Sequence, residues 1–272
     1  MINLLFGGNY AVFDGILLCL MSINKNTNQA LNVFILTADV TELNNNYKPI
    51  TSKQIEFLNT YLQQKNKNSR VTLVKIGKIF KNWIMQSKNK LTQYTPFAFL
   101  RLFADNIKDL PNKIIYLDTD IMVPGDIKNL FDIDVSEYEL AAVLDHNGQW
   151  FISSNYFNSG VLLMNMKKIK ETNLLTKVKD MCSTKKMVFP DQTALNKLAT
   201  KVLYLPRKFN EQRKLKNDTI IQHFCKRIKW FPIFKTQNIK PWQIKDVQNI
   251  YKIHAYDNLY KEYLELKRSF KC

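Results

Sequence analysis

The chain has 272 residues, 46% hydrophobic and 12% aromatic, which is enough apolar side chain for one sizeable core and excludes a disordered chain. Only 7 glycines and 8 prolines argue against modules strung on linkers. Forty basic and 23 acidic residues leave a formal charge of +17, of which +11 falls in residues 201–272 (17 Lys or Arg, 6 Asp or Glu), an asymmetry that points to an anionic partner such as membrane headgroups, nucleic acid or a phosphorylated substrate.

In chain order, Ile2–Phe6 is a short apolar run ending at Gly7-Gly8 and predicts a strand, followed by an apolar, helix-length stretch over Tyr10–Ile23. Leu31–Leu36 predicts a second strand. Thr51–Gln63 predicts a helix, with Ile55, Leu58 and Leu62 at helical spacing, and Val71–Ile76 a third strand with β-branched positions. Thr95-Pro96 opens a further helix, with Thr95 as N-cap and Pro96 in the first turn. Ile114–Leu117 is a fourth strand that stops at Asp118. This alternation is the pattern of an α/β fold with a mostly parallel sheet and crossover helices. Beyond about residue 140 it becomes irregular, with strands near Leu140–Leu144 and Gly160–Asn165 and helices at about Met166–Cys182 and Asp191–Thr200.

The four cysteines (Cys19, Cys182, Cys225, Cys272) form no close pair, and reduced thiols are expected. The N-terminus lacks the basic start of a secretory signal, and the most apolar stretch, 11–21, contains Asp14 and is too short to span a bilayer. A cytoplasmic chain is the expectation.

Ligands of open parallel sheets bind beyond the carboxyl ends of the strands. Two such ends carry polar, turn-forming residues: Gly7-Gly8-Asn9 and Asp118-Thr119-Asp120. Carboxylates two positions apart on extended backbone point to the same side and can chelate a divalent cation while leaving sites for phosphates. Asp-x-Asp alone fits a solvated turn equally well. Other residues also have plain alternatives. Arg101 has Asp105 four positions on, the spacing of a helix-surface ion pair. Asn158 and Gly160 suit a turn, and Asp191 after Pro190 suits an N-cap, with Gln192 an ordinary first-turn residue. His223 sits in an apolar run, where most histidines are not ligands. The chain has no Walker-type phosphate loop, Gly-x-Ser-x-Gly elbow or His-Glu-x-x-His helix.

The run Tyr116-Leu117-Asp118-Thr119-Asp120 resembles the metal motif of family 8 glycosyltransferases, which include bacterial lipooligosaccharide galactosyl- and glucosyltransferases. Other blocks resemble that family in the same order. Gly7-Gly8-Asn9-Tyr10 is similar to its uridine-binding segment, and Arg101 stands where it has a donor-contacting arginine. Tyr156–Asn165 is similar to its Phe-Asn-x-Gly-Val-x-x-Asn block and Pro190-Asp191-Gln192 to its Asp-Gln motif. His223 matches its metal histidine and Lys240-Pro241-Trp242 its Lys-Pro-Trp block. The likeness covers about residues 2–242.

The resemblance implies a GT-A-type fold over residues 1–242, with 243–272 as a basic helical tail packed on it or facing a membrane. It implies retaining transfer of a hexose from a UDP-sugar, UDP-galactose or UDP-glucose, to a saccharide or glycolipid acceptor in cell-surface (lipopolysaccharide) glycan synthesis. Mn²⁺ or Mg²⁺ would be held by Asp118, Asp120 and His223. Donor contacts would come from Gly7, Gly8, Asn9, Tyr10, Arg101, Asp118, Thr119, Asp145, Asn158 and Lys240. Gln192 stands where a nucleophile would be sought, which favours front-face attack, with Gln192 supporting the charged sugar and Asp191 and Asn158 holding its hydroxyls. Two departures stand out: the first loop lacks the family's Asp, and the run Cys225–Lys229 after His223 lacks its glycine. Lys226 or Arg227 therefore competes with Lys240 for the diphosphate. The acceptor face is expected in segments 40–95 and 146–156. The basic last quarter, interleaved with Trp230, Phe231, Phe234 and Trp242, suggests peripheral contact with an anionic inner membrane face, and no nucleic acid is expected. The rival readings are an idle UDP-sugar-binding protein and a basic module that binds anionic lipid or nucleic acid.

Overall fold

In the computed structural model, which describes residues 1–90, 95–229 and 235–270, the apolar runs of the first part of the chain become four parallel strands: β1 (Ile2–Gly7), β2 (Leu31–Thr37), β3 (Arg70–Lys75) and β4 (Lys113–Leu117). Helices α1 (Phe13–Asn26) and α2 (Ser52–Lys65) connect the first three. A capping box starts α2: Thr51 Oγ1 accepts from Gln54 N (3.2 Å) and Gln54 Oε1 accepts from Thr51 N (2.9 Å). After β4 come β5 (Ile121–Met122), α4 (Lys128–Phe131), β6 (Leu140–Leu144), α5 (Gly148–Phe151) and β7 (Phe157–Asn165). The helix α3 (Gly77–Gln86), which follows β3, has no counterpart in the sequence reading.

The seven-stranded sheet runs β3-β2-β1-β4-β7-β6-β8, closing with β8 (Val202–Tyr204). Neighbours are parallel except at β7, which is antiparallel to both β4 and β6. This reversal positions the site, because the carboxyl ends of β1, β4 and β6 then share one edge of the sheet with the amino end of β7.

All seven residues of β2 are buried, as expected of a parallel strand covered on both faces. Helix α1 is buried continuously from Gly15 to Asn24 because it lies between the sheet and a C-terminal helix. That helix, α9 (Asp257–Ser269), buries Leu259, Tyr260 and Tyr263, and Phe270 just beyond it stacks on Phe57 with ring centroids 4.0 Å apart. Burying each such side chain contributes ~1.5–3 kcal/mol. The flanking pairs Lys25–Glu262 and Lys267–Asp14 are partly exposed and add at most ~1 kcal/mol each. Gly15 is the one residue that α1 can present here: a Cβ would lie 2.1 Å from Thr119 O and 2.5 Å from the Trp242 ring.

Several expectations are corrected. The segment after Pro96 winds as a 3-10 helix over Pro96–Asn106, and the Thr95 side chain makes no capping bond. Phe97, Phe99, Leu100, Leu102 and Phe103 are all buried, a wider apolar arc than one face of an amphipathic α-helix presents. The helix expected over 166–182 is two, α6 (Met166–Glu171) and α7 (Leu174–Thr184). They are broken at Asn173, whose φ of 55° is the left-handed conformation that Asn tolerates. Helix α8 (Pro190–Leu198) ends just short of its expected limit. Cys19, Cys182 and Cys225 are free thiols. Residues 91–94, Trp230, Phe231, Phe234 and Cys272 lie outside the described residues, among which no helix is long and apolar enough to cross a membrane.

Candidate active site

At the end of β4, Asp118 N donates to Gly160 O (2.8 Å), the last rung between β4 and β7. From there the chain turns outward with both carboxylates at the sheet edge. Asp118 Oδ1 accepts from Arg101 Nη2 and from the Tyr116 hydroxyl, each at 2.7 Å. Asp120 Oδ1 lies 3.1 Å from His223 Nε2 and Asp120 Oδ2 lies 2.6 Å from Lys240 Nζ. His223 arrives on β9 (Gln222–His223), a two-residue strand antiparallel to β5 that pairs Ile121 with His223. Phe224 N donates to Asp120 O (2.9 Å) and continues the ribbon. One ligand atom from each of Asp118, Asp120 and His223 fits within a 4.8 Å span.

A chain of amides sets the orientation of the histidine. Asp145, just past β6, accepts at Oδ2 from Asn158 Nδ2 (2.9 Å). Asn158 Oδ1 accepts from Asn210 Nδ2 (3.0 Å), and Asn210 Oδ1 lies 3.2 Å from His223 Nδ1. An ionised carboxylate only accepts, so every donor along the chain points back towards Asp145 and the proton of His223 sits on Nδ1. The Nε2 lone pair then faces Asp120, a contact that is attractive only with a proton or a metal cation on that nitrogen. Two carboxylates and an imidazole, the imidazole held from behind by an amide, are a donor set that fits a divalent metal ion. Gly160 keeps the place open: a Cβ there would lie 2.2 Å from His223 Cε1 and 2.8 Å from Asp118 Oδ2.

Electrostatics follow the same geometry. Burial by itself would raise the Asp120 pKa, but neighbouring positive charge, led by the Lys240 ammonium, outweighs it and holds the carboxyl well below the usual range. Burial pushes the Asp191 carboxyl up, only partly offset by Arg101. Arg101 is 4% exposed. Its guanidinium lies over the Tyr116 ring (4.4 Å), 3.4 Å from Asp191 Oδ2, and donates to Ser159 O and to Ala98 O (2.9 Å). It thus ties β4, β7 and α8 together, while Asp105, its candidate helix-surface partner, pairs with Lys179 at 2.7 Å.

Gln192 does more than fill a first turn. Its Oε1 accepts from Ser159 N (3.0 Å) and Ser159 Oγ (3.3 Å), and its Nε2 donates to Asp145 Oδ2 (3.3 Å). In the first loop, Gly8 N donates to Leu36 O (3.0 Å) and Gly8 O accepts from Thr37 Oγ1 (2.8 Å). Asn9 is buried, with Nδ2 3.4 Å from Asn46 O, whereas the Tyr10 side chain is 45% exposed. Thr119 is half-buried between the two carboxylates. Of the three competing cations, Lys240 is the one at Asp120; Lys226 is exposed and Arg227 stacks on Tyr251 at 3.9 Å. Tyr116, Ser159 and Asn210 complete the constellation without having been singled out in the sequence. Tyr116 lay inside a quoted motif, and Asn210 carried no local signal.

A family model described as glycosyl transferase family 8 matches residues 2–246. Glycosyltransferase GlyA of Streptococcus pneumoniae serotype 4 is 30% identical over 198 residues, covering 72% of this chain and 25% of that protein. The lipopolysaccharide 1,3-galactosyltransferase of Salmonella typhimurium is 31% identical over 152 residues, 50% of this chain and 42% of that protein. The chain spans less than half the length of the pneumococcal relatives GlyB, GlyA and GlyE (38%, 25% and 43%). The crystal structure of the galactosyltransferase LgtC with donor and acceptor sugar analogs superposes with a TM-score of 0.68 at 17% identity, over 100% of this chain and 97% of that one. That of pneumococcal GlyE gives 0.66 at 22% identity, over 100% and 66%. Such identities speak for the fold, an α/β sheet of GT-A type flanked by helices. With the family model matched over nearly its whole length, the chain belongs to glycosyl transferase family 8.

Proposed function

We propose that the chain is a metal-dependent, retaining hexosyltransferase that moves a hexose from UDP-galactose or UDP-glucose to a saccharide or glycolipid acceptor in cell-surface glycan synthesis. The observation that carries this reading is the Asp118–Asp120–His223 cluster at the carboxyl edge of the sheet, with Lys240 beside it. A divalent ion bound there supplies positive charge against the departing diphosphate. Lys240 offers an ammonium at the same place, and the Asp145–Asn158–Asn210 chain keeps the His223 lone pair aimed at it. Gly7, Gly8, Asn9, Tyr10 and Thr119 line the nucleoside end, and Asp191, Asp145 and Asn158 hold sugar hydroxyls. Arg101 fixes Asp118 and Asp191 in place and marks the donor side. In front-face transfer the bond between the anomeric carbon and the phosphate oxygen breaks, and the acceptor hydroxyl oxygen bonds to that carbon from the same side. Its proton passes to the leaving phosphate, while Gln192 supports the charged sugar.

Release of UDP from a panel of UDP-sugars with Mn²⁺, with and without chelator, tests the reading. Turnover with UDP-galactose or UDP-glucose that chelator stops and Mn²⁺ restores is the expected result. Stabilisation by UDP without turnover would leave an idle binding protein, and full activity in excess chelator would remove the metal. The relatives' lipopolysaccharide activities and the basic last quarter support a cytoplasmic enzyme in peripheral contact with an anionic membrane. Each basic residue near such a surface adds ~1 kcal/mol within a Debye length. Strong liposome co-sedimentation at low salt and weak at high salt is expected, and equal binding to neutral liposomes would count against it.

A further inference from the structure

Beside the candidate active site, at the carboxyl end of β6, lies a cavity of about 220 Å³ floored by Leu144 and Leu205 and rimmed by His146, Arg207 and Arg213. It is smaller than the ~300 Å³ at which pockets for drug-sized ligands begin, a size suited to one sugar ring or its substituent and not to a nucleotide. Its walls belong to the segments that build the active site. His146 follows Asp145, and Arg213 lies three residues after Asn210. Gln212, 5% exposed, braces the two segments: its Oε1 accepts from His146 N (2.8 Å) and its Nε2 donates to Leu144 O (3.0 Å).

The charges in this cavity do not cancel. Glu211 is 2% exposed at its side chain, pairs with Arg207 (3.0 Å) and accepts from Arg213 N (2.9 Å). Arg213 Nη1 instead meets His146 Nε2 at 2.8 Å. A guanidinium has no acceptor and stays protonated, so His146 accepts through Nε2 and is neutral. Burial first, and then Arg213, push its pKa down, in keeping with that state. Among the described residues Arg213 therefore has no carboxylate partner, and its remaining donors form a fork shaped for an oxyanion.

We propose that this cavity is the acceptor subsite and that it selects a saccharide bearing a negative charge, a phosphate or a carboxylate, through Arg213. The proposal rests on the transferase reading for its link to catalysis. His146, next in the chain to Asp145, holds the Arg213 guanidinium at 2.8 Å, so the cavity adjoins the proposed sugar end of the site.

Calorimetry on the full chain distinguishes the possibilities. UDP with Mn²⁺ is titrated first, and absence of binding there would sink the transferase reading while leaving the cavity measurable. Glucose 6-phosphate, glucuronate and methyl glucoside are then titrated separately. At least one anion should bind about tenfold tighter than the neutral sugar, the gain of one charge-assisted contact, and the stronger of the two identifies phosphate or carboxylate as the preferred group. Arg213→Gln should erase the difference, and Arg213→Lys, which keeps the charge without the fork, should retain part of it. Arg213 is exposed, so these variants are expected to fold. Equal affinity for all three sugars, no binding of any, or a preference that persists in Arg213→Gln overturns the proposal.

Discussion

His223 and His146 sit at the two ends of one hydrogen-bonded region, each with a single nitrogen committed, and their surroundings carry opposite charge. His223 donates from Nδ1 to Asn210 Oδ1 and turns its Nε2 lone pair on two carboxylates. His146 spends its lone pair on Arg213, whose guanidinium has no carboxylate partner among the described residues, while the buried Glu211 pairs with Arg207. The first arrangement suits a cation and the second an anion. The same side chain serves either sign: at His223 the amide on Nδ1 leaves the Nε2 lone pair for a cation, and at His146 a guanidinium already takes that lone pair.

The largest expected effect comes from breaking the cationic side of this comparison. Asp120→Ala should lose Mn²⁺-dependent UDP affinity and lower UDP release by at least ~10³-fold, with a cooperative thermal melt retained because Asp120 lies at a strand end. Mn²⁺ binding of unchanged strength would remove Asp120 from the metal site. Gln192→Ala should separate chemistry from binding. It should cut turnover by ~10²-fold with nearly normal UDP and Mn²⁺ affinity, and unchanged turnover would retire its role in favour of Asp191. Asn210→Ala frees the His223 ring and should weaken Mn²⁺ binding ~10–100-fold, read directly by electron paramagnetic resonance. Affinity equal to wild type would mean that the amide chain does not orient the ligand.

The smallest effect concerns His146. Burial and then Arg213 hold its pKa below the ordinary value near 6.5. A group whose folded pKa is depressed adds stability above its unfolded pKa, and that contribution fades as pH falls through the folded value. NMR titration should therefore place His146 below ~6.5 in the wild type and nearer to it in Arg213→Gln. Identical midpoints would show that Arg213 does not set the charge of this cavity.

These predictions lean unevenly on what the sequence made visible. Strands β1 to β4 were legible because each is a short apolar run bounded by turn residues, and the Asp118–Asp120 pair because it ends such a run. The 3-10 helix of Arg101 was not legible, since Thr95-Pro96 also starts α-helices. Arg101 had a sequence neighbour, Asp105, at the spacing of an ion pair, but Lys179 from α7 occupies that carboxylate, which only tertiary packing reveals. The β5–β9 ribbon is two residues per strand, below any periodicity. Asn210 looked like any polar loop residue, because its partners Asn158 and His223 meet it only after β7 and β9 have taken their places.

The pairing of Ile121 with His223 bears on how the protein is made. The last strand of the seven-stranded sheet ends at Tyr204, so every sheet strand precedes His223 and Lys240 in the order of synthesis. During synthesis, which proceeds from the N-terminus, the sheet strands are made first and the proposed cation site is completed last, by a strand of two residues and a lysine beyond it. A product that stops short of residue 223 carries every strand of the sheet but lacks His223, Lys240 and the C-terminal helix that covers α1, so the proposed cation site cannot be complete in it.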